Sequence, residues 1–123
     1  MKLTQEYGTA TYRIRSYERG RIRINDELIE ASVVVTPELL IRDWAPQRPD
    51  QLGVADLAPI IDFRPEVVLL GTGVQQRFPD RSVLRELLTR GIGVEVMDTG
   101  AACRTYNILM AEDRRVAAAL ILD

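Results

Sequence analysis

Two short junctions hold the residue types that could bind an anion, Gly71-Thr72-Gly73 and Asp98-Thr99-Gly100. Each follows an apolar run and precedes a helical pattern, the point at which α/β sheets present ligands. Glycine allows a tight turn and a close approach to backbone N–H groups, and a helix N-terminus aims such groups at negative charge. If the two preceding strands run parallel, Thr72, Gly73, Thr99 and Gly100 line one crevice. Neither junction is a nucleotide fingerprint. Read as G-x-G-x-x-G, the first ends in Gln76 rather than glycine, and no Gly-Lys-Ser/Thr follows it. A strand-ending turn is the plainer account of the first junction. Helix capping by Asp98 or Thr99 accounts for the second, and capping is compatible with anion binding at the same helix start.

Beyond that crevice the reactive groups are few. The chain contains no histidine, which removes Ser-His-Asp and Cys-His catalysis, histidine base chemistry and nearly all zinc sites. Cys103 falls near the first turn of the helix after Asp98, where the dipole can favour a thiolate. A lone cytosolic cysteine is more often a small buried hydrophobe. Arg104, Tyr106 and Asn107 follow it and could reach the crevice or a protein partner. Asp56, Asp62, Asp80 and Asp98 lie in different elements, where solvated or capping roles explain each. No catalytic residue, metal site or cofactor is expected.

A chain of 123 residues, 46% hydrophobic and 28% charged, fits one domain, residues 1–123, with a continuous core. Its 16 basic and 18 acidic residues leave a net charge of −2, so no overall field favours nucleic acid or anionic lipid. Arg13, Arg15, Arg19, Arg21 and Arg23 form a local basic cluster. Arg13/Arg15 and Arg21/Arg23 recur at period two, so each pair shares a strand face. With only Tyr12 and Tyr17 to stack bases, a solvated hairpin face is expected there rather than a nucleic-acid site. One cysteine allows no intrachain disulfide. Met1-Lys2-Leu3-Thr4-Gln5-Glu6 lacks the apolar core of a signal peptide, and no apolar run nears the roughly 20 residues that span a bilayer. A cytoplasmic protein is expected.

The elements that must position these residues follow from periodicity. Tyr12 to Tyr17 and Arg21 to Ile24 alternate as strands around a turn at Glu18-Arg19-Gly20, and Asn25-Asp26 turns into a short strand at residues 27–30. Ser32 to Val35 and Leu39 to Arg42 add two strands. Such close spacing makes antiparallel hairpins. Residues 43–53, with Trp44, Pro46 and Pro49, read as an irregular loop in which the tryptophan packs. Val54, Leu57, Ile60 and Ile61 then mark a short helix. Glu66 to Leu70 is a buried strand. Pro79 starts a second helix with Val83, Leu84, Leu87 and Leu88 inward and Gly91 as its C-terminal cap. Gly93 to Met97 is a strand and Thr99 to about Glu112 a helix with Tyr106, Leu109 and Met110 in the core. Val116 to Leu122 is a final strand. The alternation predicts a sheet with helices on its faces, and apolar continuity puts the last three strands in one sheet, buried on both faces. Asp113-Arg114-Arg115 leaves the direction of the final strand open. No internal repeat or low-complexity segment is present.

Three runs carry a resemblance: Pro65-Glu66-Val67-Val68-Leu69-Leu70-Gly71-Thr72-Gly73, Gly93-Val94-Glu95-Val96-Met97-Asp98-Thr99 and Ala102-Cys103-Arg104-Thr105-Tyr106-Asn107. Arg114-Arg115-Val116-Ala117-Ala118-Ala119-Leu120 completes it. The chain resembles the family of small uncharacterised α/β domains that includes the mitochondrial respiratory complex I assembly factor and the adipogenesis-associated domain protein. The resemblance implies a three-layer α/β fold. A central mixed sheet is flanked by helices, with extra antiparallel β-structure from the N-terminal half and an antiparallel final strand. It implies no established enzyme activity. Two functional expectations result. One is a non-enzymatic interaction module with a protein partner, supporting a respiratory or membrane-associated complex; the partner could be a second copy in a homodimer. The other is an anion-binding domain or an enzyme that uses the crevice formed by Gly71, Thr72, Gly73, Asp98, Thr99 and Gly100, with Cys103, Arg104 and Asn107 beside it. Neither nucleic acid nor a transmembrane segment enters either expectation.

Overall fold

A computed structural model describes residues 11–123; the polar stretch at residues 1–6 lies outside the described residues. Strands β1 (Ile14–Glu18), β2 (Arg21–Ile24) and β3 (Glu27–Ile29) form an antiparallel sheet in the order β1-β2-β3. Its turns are those the sequence marks: Gly20 has φ 79 and Asn25 has φ 53, the left-handed conformation that glycine and asparagine tolerate. Ile14, Ile22, Ile24 and Ile29 point inward while Arg13, Arg15, Arg21 and Arg23 stay exposed. The period-two arginines are therefore the outer face of the hairpins, as expected.

The larger sheet has the order β5-β4-β8-β6-β7, with β4 (Val33–Val35), β5 (Leu40–Ile41), β6 (Val67–Gly71), β7 (Gly93–Met97) and β8 (Val116–Leu120). β6 and β7 are parallel neighbours. The antiparallel direction implied for the final strand is overturned: β8 runs parallel to β6 and is antiparallel only to β4. The helix α3 (Thr99–Ala111) is the reason. Its 13 residues carry the chain back over about 20 Å, so a short final loop suffices for a parallel return. Side chains alternate across the sheet. Val33, Val35, Val67, Leu69, Val116, Ala118 and Leu120 join α3 and the small sheet in one core. Val34, Val68, Leu70, Ala117 and Ala119 join the opposite core with α1 (Ala58–Phe63) and α2 (Arg81–Thr89). β6 and β8 are buried on both faces, but β7 is a half-buried edge strand. Valines at a sheet edge look the same in sequence as valines at its centre.

Three helix expectations need correction. α2 begins at Arg81 with Asp80 as its N-cap, not at Pro79. Val83 and Leu87 face inward, whereas Leu88 is 58% exposed and Leu84 is half-buried. The segment from Val54 starts as a 3₁₀ turn, Val54–Leu57, before α1, so Val54 is exposed and Phe63 takes the inward place. Arg115 secures the end of α1, where its Nε donates to the carbonyl of Arg64 at 3.0 Å and its guanidinium lies 3.9 Å from the Phe63 ring centroid.

The loop over residues 43–53 contains one 3₁₀ turn, Pro49–Gln51, and is anchored as expected by Trp44. The ring is 6% exposed within the second core, and its indole N–H donates to the Asp56 carbonyl at 3.0 Å. Its emission is expected to be blue-shifted and weakly quenched by iodide. Solvent-like emission would contradict this packing.

Candidate functional site

Parallel pairing of β6 with β7 sets Gly71 opposite Met97 and brings the two glycine junctions together. The space between them is then closed by their own hydrogen bonds. Thr72 N–H donates to Met97 O at 2.9 Å and Thr99 N–H to Gly73 O at 2.8 Å. The Thr99 hydroxyl accepts from Gly73 N–H at 2.7 Å and donates to Ile121 O at 2.8 Å. Thr72 Oγ1 donates to Gln75 O at 2.7 Å and accepts from Arg77 N–H at 3.0 Å. Asp98 caps α3 by accepting from Ala101 N–H at 2.9 Å. Thr72, Gly73, Thr99 and Gly100 are all buried. The glycines serve this closure. A Cβ at Gly71 would come within 3.0 Å of the Thr99 Cα, and Gly73, at φ +101, would place one 2.5 Å from the Asp123 carboxylate. The two threonine hydroxyls are thus both engaged in hydrogen bonds within the protein, while Thr72 also borders a cleft beyond the strand ends.

Cys103, Arg104 and Asn107 divide from the two junctions and line a separate groove, which Gly100 also borders. Gly100, Cys103, Arg104 and Asn107 meet Tyr17 and Ser16 there, around about 190 Å³. Asn107 is a clamp on β1: its amide oxygen accepts from Ile14 N–H at 3.0 Å and its amide nitrogen donates to Ile14 O at 2.7 Å. Tyr106, one residue earlier, donates its hydroxyl to Tyr12 O at 2.8 Å. Arg104 is exposed. Burial pushes the Cys103 thiol up to about 12, with Arg104 opposing this shift, so at neutral pH it carries its proton and is a poor nucleophile. Native protein is expected to react with a disulfide reagent at pH 8 far more slowly than denatured protein; equal rates would refute the burial. The raised thiol value also adds stability that is complete below about pH 9 and is lost as the pH climbs toward about 12.

A third feature escaped the sequence. α2 and α3 cover opposite faces of the sheet, so the chain changes direction between β6 and β8, and a crevice outside their carboxyl ends is the usual ligand position in such sheets. A cleft of about 720 Å³ lies there, with Arg19, Arg48, Arg77, Thr72, Phe78 and Asp123 among its lining residues. Arg48 pairs with Asp50 at 3.2 Å, and Arg77 donates to the Gln75 side chain at 3.0 Å. The three arginines come from a hairpin turn, the proline-punctuated loop and the segment after β6. Only the topological switch point could have signalled them.

These features define a three-layer α/β domain: a helix-flanked mixed sheet carrying a small antiparallel sheet on one side, with a polar cleft at its switch point. The chain belongs to the family described as "Protein of unknown function (DUF498/DUF598)", which matches residues 14–121. It is 35% identical over 123 residues to a Danio rerio protein named NADH dehydrogenase (ubiquinone) 1 alpha subcomplex assembly factor 3, covering 98% of this chain and 70% of that one. It is 28% identical over 127 residues to a Francisella tularensis protein named 13 kDa major membrane protein, covering 98% of this chain and 99% of that one. A crystal structure of a Bordetella parapertussis protein superposes with a TM-score of 0.87 at 41% identity, covering 95% of this chain and all 100% of that one. No helix among the described residues is long and apolar enough to cross a membrane.

Proposed function

We propose that the chain is a cytoplasmic, non-catalytic assembly module that binds protein subunits of a membrane-associated respiratory complex. The observation that carries this reading is that the Thr72 and Thr99 hydroxyls and the Thr72, Gly73 and Thr99 N–H groups all have hydrogen-bond partners within the protein. The protonated Cys103 adds to it. The names of the relatives supply the setting: one is an assembly factor for NADH dehydrogenase and another a major membrane protein. Native cells lacking the chain should accumulate partial NADH dehydrogenase assemblies on native gels, and reintroducing the chain should restore the complete complex. Normal assembly without it would refute the proposal. Arg104→Glu, on the exposed face of α3, is expected to reduce co-purification of the assembling subunits.

The cleft outside β6 and β8 favours a second reading, a binding domain for a small anion. Arg19, Arg48 and Arg77 line the cleft from separate segments, beside Asp50, Asp80 and Asp123; Arg48 is paired with Asp50, which leaves Arg19 and Arg77 as the arginines suited to a phosphate or carboxylate. An anion present at a hundredfold its dissociation constant stabilises the fold by about 2.7 kcal/mol. Thermal-shift measurements with phosphate, pyrophosphate, nucleotides and carboxylates test this. A shift that disappears in Arg19→Ala/Arg77→Ala supports the binding domain, and a flat response refutes it.

A further inference from the structure

Residues 74–90 contain Arg77, Arg81, Arg85 and Arg90 against Asp80 and Glu86, a net charge of +2 in a chain of net −2. The rest of the chain carries −4 in sum, and this segment is a positive stretch separate from the hairpin arginines of residues 13–23, which carry +4. Three of the most exposed apolar side chains lie in this same segment: Phe78 is 69% exposed, Leu88 58% and Val74 46%. α2 turns Val83 and Leu87 into the core, while Arg81, Leu84, Arg85 and Leu88 share a shallow trough on its outward side. Among the described residues, neither Arg81 nor Arg85 forms an ion pair within the chain. Placing leucines outward and leaving two arginines beside them unpaired does nothing for the fold.

We propose that the outward face of α2, with Phe78 ahead of it, docks on an anionic lipid surface. Arginines beside exposed leucine and phenylalanine are the side-chain pairing that interfacial segments place in the headgroup boundary; here Leu84, Leu88 and Phe78 are left over after Val83 and Leu87 have entered the core. The arginine stems reach along the apolar surface while their guanidinium groups stay among the phosphates. Leu84 and Leu88 lie in a shallow, open trough and Phe78 is 69% exposed just ahead of the helix, an arrangement that suits a fluid surface more than a rigid acidic partner. Attraction of this kind is worth roughly fivefold in binding for each arginine near the surface and falls with salt. The proposal deepens the reading of the chain as acting at a membrane complex and rests on that reading only for its setting. Docking here would hold the protein at the membrane without a spanning segment.

The test is co-sedimentation of the purified chain with phosphatidylcholine vesicles, with and without about 30% phosphatidylglycerol. The intact chain should bind the anionic vesicles and release at high salt. Arg81→Glu/Arg85→Glu should weaken binding at least tenfold, and Phe78→Ser/Leu88→Ser should weaken it at unchanged charge. Ile108→Ser, exposed on the helix across the sheet, should bind as the intact chain does. Buried Trp44 emission checks that each variant is folded. No binding to anionic vesicles, equal binding to neutral ones, or full binding by folded Arg81→Glu/Arg85→Glu would overturn the proposal. So would capture of an acidic protein through this face by a chain that ignores vesicles. Vesicle binding with normal NADH dehydrogenase assembly in cells lacking the chain would sustain the docking face and remove the assembly role; the reverse pair would do the opposite.

Discussion

Thr99→Val is expected to destabilise the fold by about 2–5 kcal/mol, because it keeps the side-chain shape and deletes one hydroxyl that serves two buried partners. Thr99 is fully buried; its Oγ1 accepts from Gly73 N–H and donates to Ile121 O. Valine satisfies neither, and water has no room to replace the hydroxyl where Gly71 is already packed against the Thr99 backbone. Each abandoned group then bears its desolvation cost. Urea denaturation followed by circular dichroism measures the difference. A loss under about 1 kcal/mol would mean that the strand ends find other partners. Serine at the same position should retain most of the stability, which separates the hydrogen bonds from packing.

Asn107→Leu is expected to cost about 2–4 kcal/mol by the same reasoning applied to a partly buried pair. Both backbone groups of Ile14 depend on that one side-chain amide. Ile14 also starts β1, whose register with β2 shifts between Ile14 and Ser16, so the clamp holds an irregular strand end. The loss should be local before it is global: amide exchange should quicken in β1 and β2 ahead of β6 and β8. Uniform exchange across both sheets would show that Asn107 does not specifically anchor the small sheet.

The parts of this fold most legible in the sequence are those in which local chemistry decides the conformation. The alternating isoleucines and arginines of β1 and β2 gave strand, face and turn together, since a period of two leaves no other half-buried arrangement. The apolar run Val67 to Leu70 gave a central strand. Direction and exposure were less legible. Whether β8 runs parallel depends on where α3 returns the chain, and Leu88 differs from Leu87 only by one step around a helix. At the candidate site, the meeting of the two glycine junctions was legible from strand-helix alternation. Its closure was not, since a threonine before a ligand and a threonine between two strand ends read alike. The cleft lined by Arg19, Arg48 and Arg77 was invisible for a simpler reason: its residues are distant in sequence and share no pattern.

The place of β8 between β4 and β6 also governs how the molecule can be made. It is synthesised after all the other described strands, yet it separates the antiparallel pair from the parallel pair. A growing chain that has emerged as far as α3 therefore holds two half-sheets, each with an unpaired edge. Open edges of that kind invite pairing with other chains. Sealing them falls to a strand of Val116, three alanines and Leu120, whose small side chains slip between two apolar layers already waiting for them.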